Sequence, residues 1–192
     1  MPRIPLDPPR TLIYRLGEWY SKRAYGTIAD PLAAMGHNPR VLLTDARFET
    51  SLARWKKLDP TLKALAEMAS AATIGCSWCM DFGYWVAHEA GVDPAKLRDV
   101  PRWRDSDVYT DLERDVLAYA EAMSMTPLGV TDEMVAGLRR QLDDAALVEL
   151  TMMVAVENNR SRFNSALGLT SQGFKDRCEL ADHTAAGGAA AS

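Results

Sequence analysis

Residues 59–81 read DPTLKALAEMASAATIGCSWCMD, and this stretch decides the fold. Asp59-Pro60 is the favoured order of an N-cap followed by a first helical residue. Leu62, Leu65, Ala66, Ala69 and Thr73 then recur at threes and fours, the spacing of one buried helical face, up to Gly75. A glycine after the last periodic residue ends a helix readily because it can turn left-handed, so Cys76 begins a new helix rather than extending the old one. Both Cys76 and Cys79 then fall in a first helical turn, three apart and on one side.

Outward from this segment the helical period persists. Upstream, short helices are expected at about 10–24 and 28–36, with Trp19 and Tyr20 packing inward, then another from Pro39 carrying Leu42, Leu43, Phe48, Leu52 and Trp55. Downstream, the Cys76 helix runs to Gly91, and Asp93-Pro94 caps a short helix through Leu97. Residues 101–109 read as a surface loop. Thr110-Asp111-Leu112-Glu113 is a capping box, Thr131-Asp132-Glu133 caps a further helix, and a long helix spans about 144–167 with Asp143 or Asp144 as its cap. No segment alternates with a period of two, so the expectation is a single all-α domain at 40–180 behind a helical extension at 1–39. From Asp182 the chain is Ala, Gly and Ser with nothing to bury, and residues 181–192 are expected to be a disordered tail.

Composition narrows the function. With 22 Lys plus Arg against 26 Asp plus Glu, the net charge of −4 lacks the clustered positive excess that a nucleic-acid partner needs. No run of 18 apolar residues exists to span a membrane, and Met1–Pro9 holds four prolines rather than a signal-peptide core. A cytoplasmic location is the expectation. Three cysteines are too few for a secreted disulfide framework, and a CxxC pair in a reducing compartment means redox chemistry, half a metal site, or two inert core thiols. A helix N-terminus stabilises a thiolate, and a neighbouring thiol can capture a sulfenic acid as a disulfide, which favours redox. Zinc wants four ligands, and beyond the pair only Cys178 and His183 are recruits. No metal or cofactor is therefore expected.

The chain resembles the carboxymuconolactone decarboxylase and alkylhydroperoxidase D-like superfamily over roughly residues 40–170. The features that carry the likeness are a helix running into Ile74-Gly75, then Cys76-Ser77-Trp78-Cys79-Met80-Asp81, then Ala90-Gly91-Val92-Asp93-Pro94. Tyr109–Arg114 and Val130–Glu133 are similar as well. The resemblance implies an all-helical homo-oligomer whose thiols reduce hydroperoxides and are re-reduced by a dithiol, a lipoyl group or a thioredoxin-like protein. It implies Cys79 as the peroxidatic and Cys76 as the resolving cysteine. Its rivals are a decarboxylase-like enzyme on a small anionic substrate and a non-catalytic oligomeric module.

The family's relay places a Glu twelve residues before the first cysteine and a His four after the second, where this chain has Ala64 and Gly83. Glu67, one turn beyond Ala64, is the candidate replacement, so the candidate catalytic residues are Cys76, Cys79 and Glu67. His88 is out of phase with the pair, and Asp81 and Tyr84 carry little weight as donors. In the long helix, the apolar stripe of Leu147, Leu150 and Val154 continues as Glu157, Ser161 and Asn164. A polar run on a buried face lines a wet cavity or crosses a subunit interface, and an interface with Glu157 paired to Arg160 or Arg162 is the preferred expectation.

Overall fold

A computed structural model of the chain describes residues 1–178, so the expected tail lies outside the described residues. The helices run α1 (Leu12–Tyr25), α2 (Asp30–Met35), α3 (Pro39–Leu52), α4 (Pro60–Ile74), α5 (Ser77–Glu89), α6 (Pro94–Asp99), a 3-10 helix (Val100–Asp105), α7 (Asp111–Ser124), α8 (Asp132–Arg139) and α9 (Asp144–Ala166). No strand occurs among the described residues, and the all-α expectation is met. Two compact units emerge among the described residues: Met1–Trp55 with Ala166–Thr170, and Lys56–Ser165 with residues 171–178.

The first unit holds α1 to α3. Thr11 caps α1 by accepting the Tyr14 N–H at 3.2 Å, and Ser21 donates to Thr27 O while accepting the Ala29 N–H. Those bonds fix which face turns inward. Tyr14 and Ser21 lie seven residues, two turns, apart on the buried side, and Trp19 falls nearly opposite. Trp19 and Tyr20, expected to pack, are therefore 65% and 56% exposed, in line with exposed Leu12 and Leu16.

The second unit is built on α4 against α7, with Leu65, Ala66, Val116, Leu117 and Ala120 buried, joined by Leu138 of α8 and Leu150 and Val154 of α9. Alanines at 66, 69 and 120 leave little side-chain bulk at this contact, and filling it this closely makes each larger neighbour costly to truncate, about 2–5 kcal/mol for a buried leucine. The expected caps are made: Asp59, Asp93 and Thr131 each accept first-turn N–H groups, and Thr110 and Glu113 form the reciprocal capping box. Asp143 accepts the Ala146 N–H at 2.7 Å and heads α9.

One element departs from expectation. The start of the segment expected as a surface loop is the 3-10 helix, beginning at buried Val100. Pro101 permits a helical start but no long continuation, and Arg102 already leaves helical geometry. The turn is held from outside: Arg104 grips the Glu121 carboxylate with both guanidinium nitrogens, at 2.7 and 3.0 Å, and the Trp103 indole donates to the same carboxylate.

Candidate active site

Gly75 ends α4 at φ 81°, a left-handed conformation, and its N–H bonds back to Ala71 O and Ala72 O. The chain can then leave extended through Cys76, which becomes the N-cap of α5. Its Sγ accepts the Cys79 N–H at 3.2 Å, taking the place a serine or aspartate oxygen usually holds. The cap brings Cys76 and Cys79 into side-chain hydrogen bonding, as their spacing requires.

The two thiols are driven apart electrostatically. The hydrogen bond from the Cys79 thiol is the largest influence lowering Cys76, to about 6; burial opposes it, and the Cys79 backbone N–H with the Ser161 and Ser165 hydroxyls assists. The same bond raises Cys79, helped by burial and by the negative charge of Glu157. The hydrogen bond between the sulfurs and the helix N-terminus thus favour one thiolate shared within the pair. Asn164 Nδ2 donates to Cys79 Sγ at 3.3 Å, while its Oδ1 is buried without a hydrogen-bond partner among the described residues.

The second half of the site comes from α9. Glu157, Ser161 and Asn164 continue the buried stripe of Leu150 and Val154 and are themselves buried, Glu157 to 5% exposure. The Ser161 hydroxyl donates to Glu157 Oε1 at 2.7 Å, Arg160 Nη1 lies 3.3 Å from Oε2, and the Cys79 sulfur lies within hydrogen-bonding reach of the same carboxyl. Burial lifts the Glu157 pKa to about 7; Arg160 pulls it down and the Glu67 charge pushes it up. This corrects the interface expectation: Glu157 is covered within its own chain, with Arg160 as its partner, and Arg162 turns instead to Ser124 O. The polar stripe carries the information, since a carboxyl on a buried face needs donors, and Ser161 and Arg160 supply them from the same helix.

Glu67, expected at the cysteines, pairs with Arg160 Nη1 at 3.0 Å, and the same nitrogen lies 3.3 Å from Glu157 Oε2. Asp81 is spent on structure: its carboxylate accepts the N–H groups of Gln172, Phe174 and Lys175. Tyr84 is buried, with His88 stacked 6.2 Å from it. A Cβ at Gly83 would meet only Met68 Cγ, at 3.6 Å, so the absent relay histidine is not forbidden by space for its first carbon. Cys178 is grouped with His88 and Glu89, their ligand atoms within 4.8 Å of one another. His183, its possible companion in a zinc set, lies outside the described residues.

A cavity of about 520 Å³ opens beside the α5 N-terminus, lined by Cys76 but not Cys79, with Met68, Met80, Tyr84 and Leu97 among its walls. Among the described residues no helix is long and apolar enough to cross a membrane.

Comparison with known proteins agrees with this architecture. The model of the carboxymuconolactone decarboxylase family matches residues 39–122. An uncharacterized protein of Escherichia coli (strain K12), YnjA, is 34% identical over 164 residues, 85% of this chain and 90% of its own. Among solved structures, a single-residue variant of the debrominase Bmp8 in complex with 2,3,4-tribromopyrrole superposes with a TM-score of 0.79 at 20% identity, covering 93% of this chain and 97% of that one. The alkylhydroperoxidase AhpD core protein of Ralstonia eutropha JMP134, an uncharacterized peroxidase-related protein, gives 0.79 at 15% identity over 91% and 94%. From the matched residues and the extent of the YnjA identity, the chain belongs to the carboxymuconolactone decarboxylase family.

Proposed function

We propose that the protein is a thiol-dependent hydroperoxide reductase. The observation that supports this best is a buried carboxyl group, Glu157, held by Ser161 and Arg160 beside a CxxC pair whose first sulfur caps a helix, with burial pushing the carboxyl pKa up to about 7. One thiolate attacks the terminal peroxide oxygen, the O–O bond breaks, and the alcohol leaves with a proton. The other sulfur displaces water from the sulfenic acid, so two thiols and ROOH become a disulfide, ROH and H₂O. Glu157 is the group that accepts and returns the proton, the part the family gives to the residues replaced here by Ala64 and Gly83. Glu67 keeps an indirect part, holding Arg160 and setting the charge that Glu157 feels.

A dithiol, a lipoyl group or a thioredoxin-like protein, reopens the disulfide by exchange, and the need for re-reduction suits a reducing cytoplasm. The working form in this proposal is a homo-oligomer, which light scattering tests. The reaction itself is tested by treating the protein with a stoichiometric organic hydroperoxide and mapping non-reduced peptides by mass spectrometry. A Cys76–Cys79 disulfide with Cys178 still free is the expected outcome. Two intact thiols in folded protein would return the chain to a decarboxylase-like enzyme or a non-catalytic module.

A further inference from the structure

We infer that the Asn164 side chain receives the sulfenic acid formed on Cys79, its Oδ1 accepting the S–O–H proton so that the acid closes to a disulfide instead of oxidising further. The inference rests on the peroxidase reading above and takes Cys79 as the attacking sulfur, the role that the family resemblance gives it.

Placement comes first. Asn164 follows Glu157 by seven residues and Ser161 by three, so the three share one face of α9, and all are buried. That face meets the first turn of α5, where Asn164 Nδ2 donates to Cys79 Sγ at 3.3 Å. A primary amide carries donors at one end and an acceptor at the other. Here the donor end is engaged, while Oδ1 is shut off from water with no hydrogen-bond partner among the described residues, in a side chain only 2% exposed.

An unpaired buried acceptor is costly, and a catalytic role is one reason for a protein to keep it. The donors around it are committed elsewhere: the Ser161 hydroxyl goes to Glu157 Oε1, and Arg160 Nη1 is shared between Glu67 and Glu157 Oε2. Reduced Cys79 offers only a thiol, a weak donor, and its sulfur lies at the nitrogen end of the amide. Oxidation changes the inventory. It places an O–H on Cys79 Sγ, the atom the amide already grips, and so supplies a hydroxyl donor of the kind Oδ1 lacks.

Accepting that proton keeps the intermediate as the neutral acid, whereas the sulfenate anion is the form that a second peroxide carries on to sulfinic acid. Holding the hydroxyl on the amide also fixes which side of the sulfur is left to Cys76.

The steps balance. The Cys79 thiol gives its proton to Glu157, and the thiolate attacks the terminal oxygen of ROOH. An S–O bond forms as the O–O bond breaks, and the departing alkoxide takes the proton back from Glu157. The hydrogen of the attacked oxygen stays as S–O–H on Asn164. Cys76 then attacks Cys79 Sγ, the S–S bond forms as the S–O bond breaks, and hydroxide leaves as water with the Cys76 proton. The two sulfurs lose two electrons and the peroxide gains them.

The test is Asn164→Leu, which keeps most of the bulk and removes both ends of the amide. Under excess cumene hydroperoxide, mass spectrometry of the wild type should find the Cys76–Cys79 disulfide and little sulfinic acid. In Asn164→Leu the ratio of Cys79 sulfinic acid to disulfide should rise roughly ten-fold, the weight of one hydrogen bond. A packing role alone would lower the melting temperature and leave that ratio where it was. A second measurement keeps the asparagine in place. Cys76→Ser retains a capping atom for α5 and blocks resolution, so one equivalent of the peroxide should stop at a Cys79 sulfenic acid, which dimedone traps. In the untrapped protein the Asn164 side-chain amide resonances should shift and exchange with solvent more slowly once that acid forms. An unchanged ratio in folded Asn164→Leu, or amide resonances that do not move, overturns the inference, as does a wild-type dimedone adduct on Cys76. A wild type that forms neither disulfide nor sulfenic acid overturns the peroxidase reading itself, a separate result.

Discussion

Replacing Glu157 with Gln should cost activity and yet gain stability at alkaline pH, a combination that an ordinary structural residue does not give. The carboxyl is buried, and its pKa rises from the usual 4.5 to about 7 on folding. Because the folded value is the higher, the folded state binds more protons between those limits. The associated stability is complete below about 4.5 and is lost as pH rises through about 7. That difference corresponds to about 3 kcal/mol. Glutamine keeps the shape and an acceptor for the Ser161 hydroxyl, and Arg160 retains Glu67 as its ion-pair partner. Urea unfolding of both proteins from pH 4 to pH 8.5 should therefore show Glu157→Gln gaining on wild type by about 3 kcal/mol across the window. Comparing the two proteins cancels every other titration they share. Over the same range, peroxide turnover should fall about 10²- to 10⁴-fold and lose its rise through pH 7, because the group that takes up the proton is gone. A stability difference that stays flat with pH, or a variant that retains the rise in rate, would refute the role given to this carboxyl.

Glu67→Gln removes a charge that raises Glu157, so the limb of the pH–rate profile should move to lower pH with turnover reduced only several-fold, as a full profile with a dithiol reductant would record. Asp81→Asn should cost about 2 kcal/mol in chemical unfolding, since an amide cannot accept all three N–H groups that the carboxylate holds; as Asp81 ionises below its usual 3.8, wild type keeps this stability above that value and loses it as pH falls further. Gly75→Ala should cost about 1 kcal/mol by melting, entirely from the left-handed backbone, because a Cβ there meets nothing within 4 Å.

Helix ends are legible in this sequence wherever a side chain has to satisfy an orphan N–H. Asp59, Asp93, Thr110 and Thr131 announce their helices with local chemistry, and each accepts the bond its position implies. Trp19 misleads because aromatic bulk suggests burial, whereas its fate depends on helix phase, fixed by Tyr14 and Ser21 on the opposite face. The 3-10 helix is hidden for a related reason. Arg102, Trp103 and Arg104 look like loop residues until Glu121 of α7 arrives from elsewhere in the chain to hold two of them.

The site divides along the same line. Cys76 and Cys79 are neighbours in sequence, and their meeting follows from helix geometry, whereas Glu157 reaches them only through the packing of α9. A search confined to α4 for the missing acid finds Glu67 because it lies nearest in register to Ala64, yet α4 turns that carboxylate onto Arg160. The physical demand is nonetheless written in α9. Leu150 and Val154 set a face that is wholly buried, so the carboxyl one turn later has to find donors or stay protonated. Glu157 does some of each: Ser161 and Arg160 bond it, and burial still holds its pKa near neutrality. An acid poised there can both take and return a proton beside a pair of sulfurs whose hydrogen bond favours a thiolate. Ala64 and Gly83 therefore need not mean lost chemistry, since the function of the missing relay can be supplied by a different helix facing the same two sulfurs.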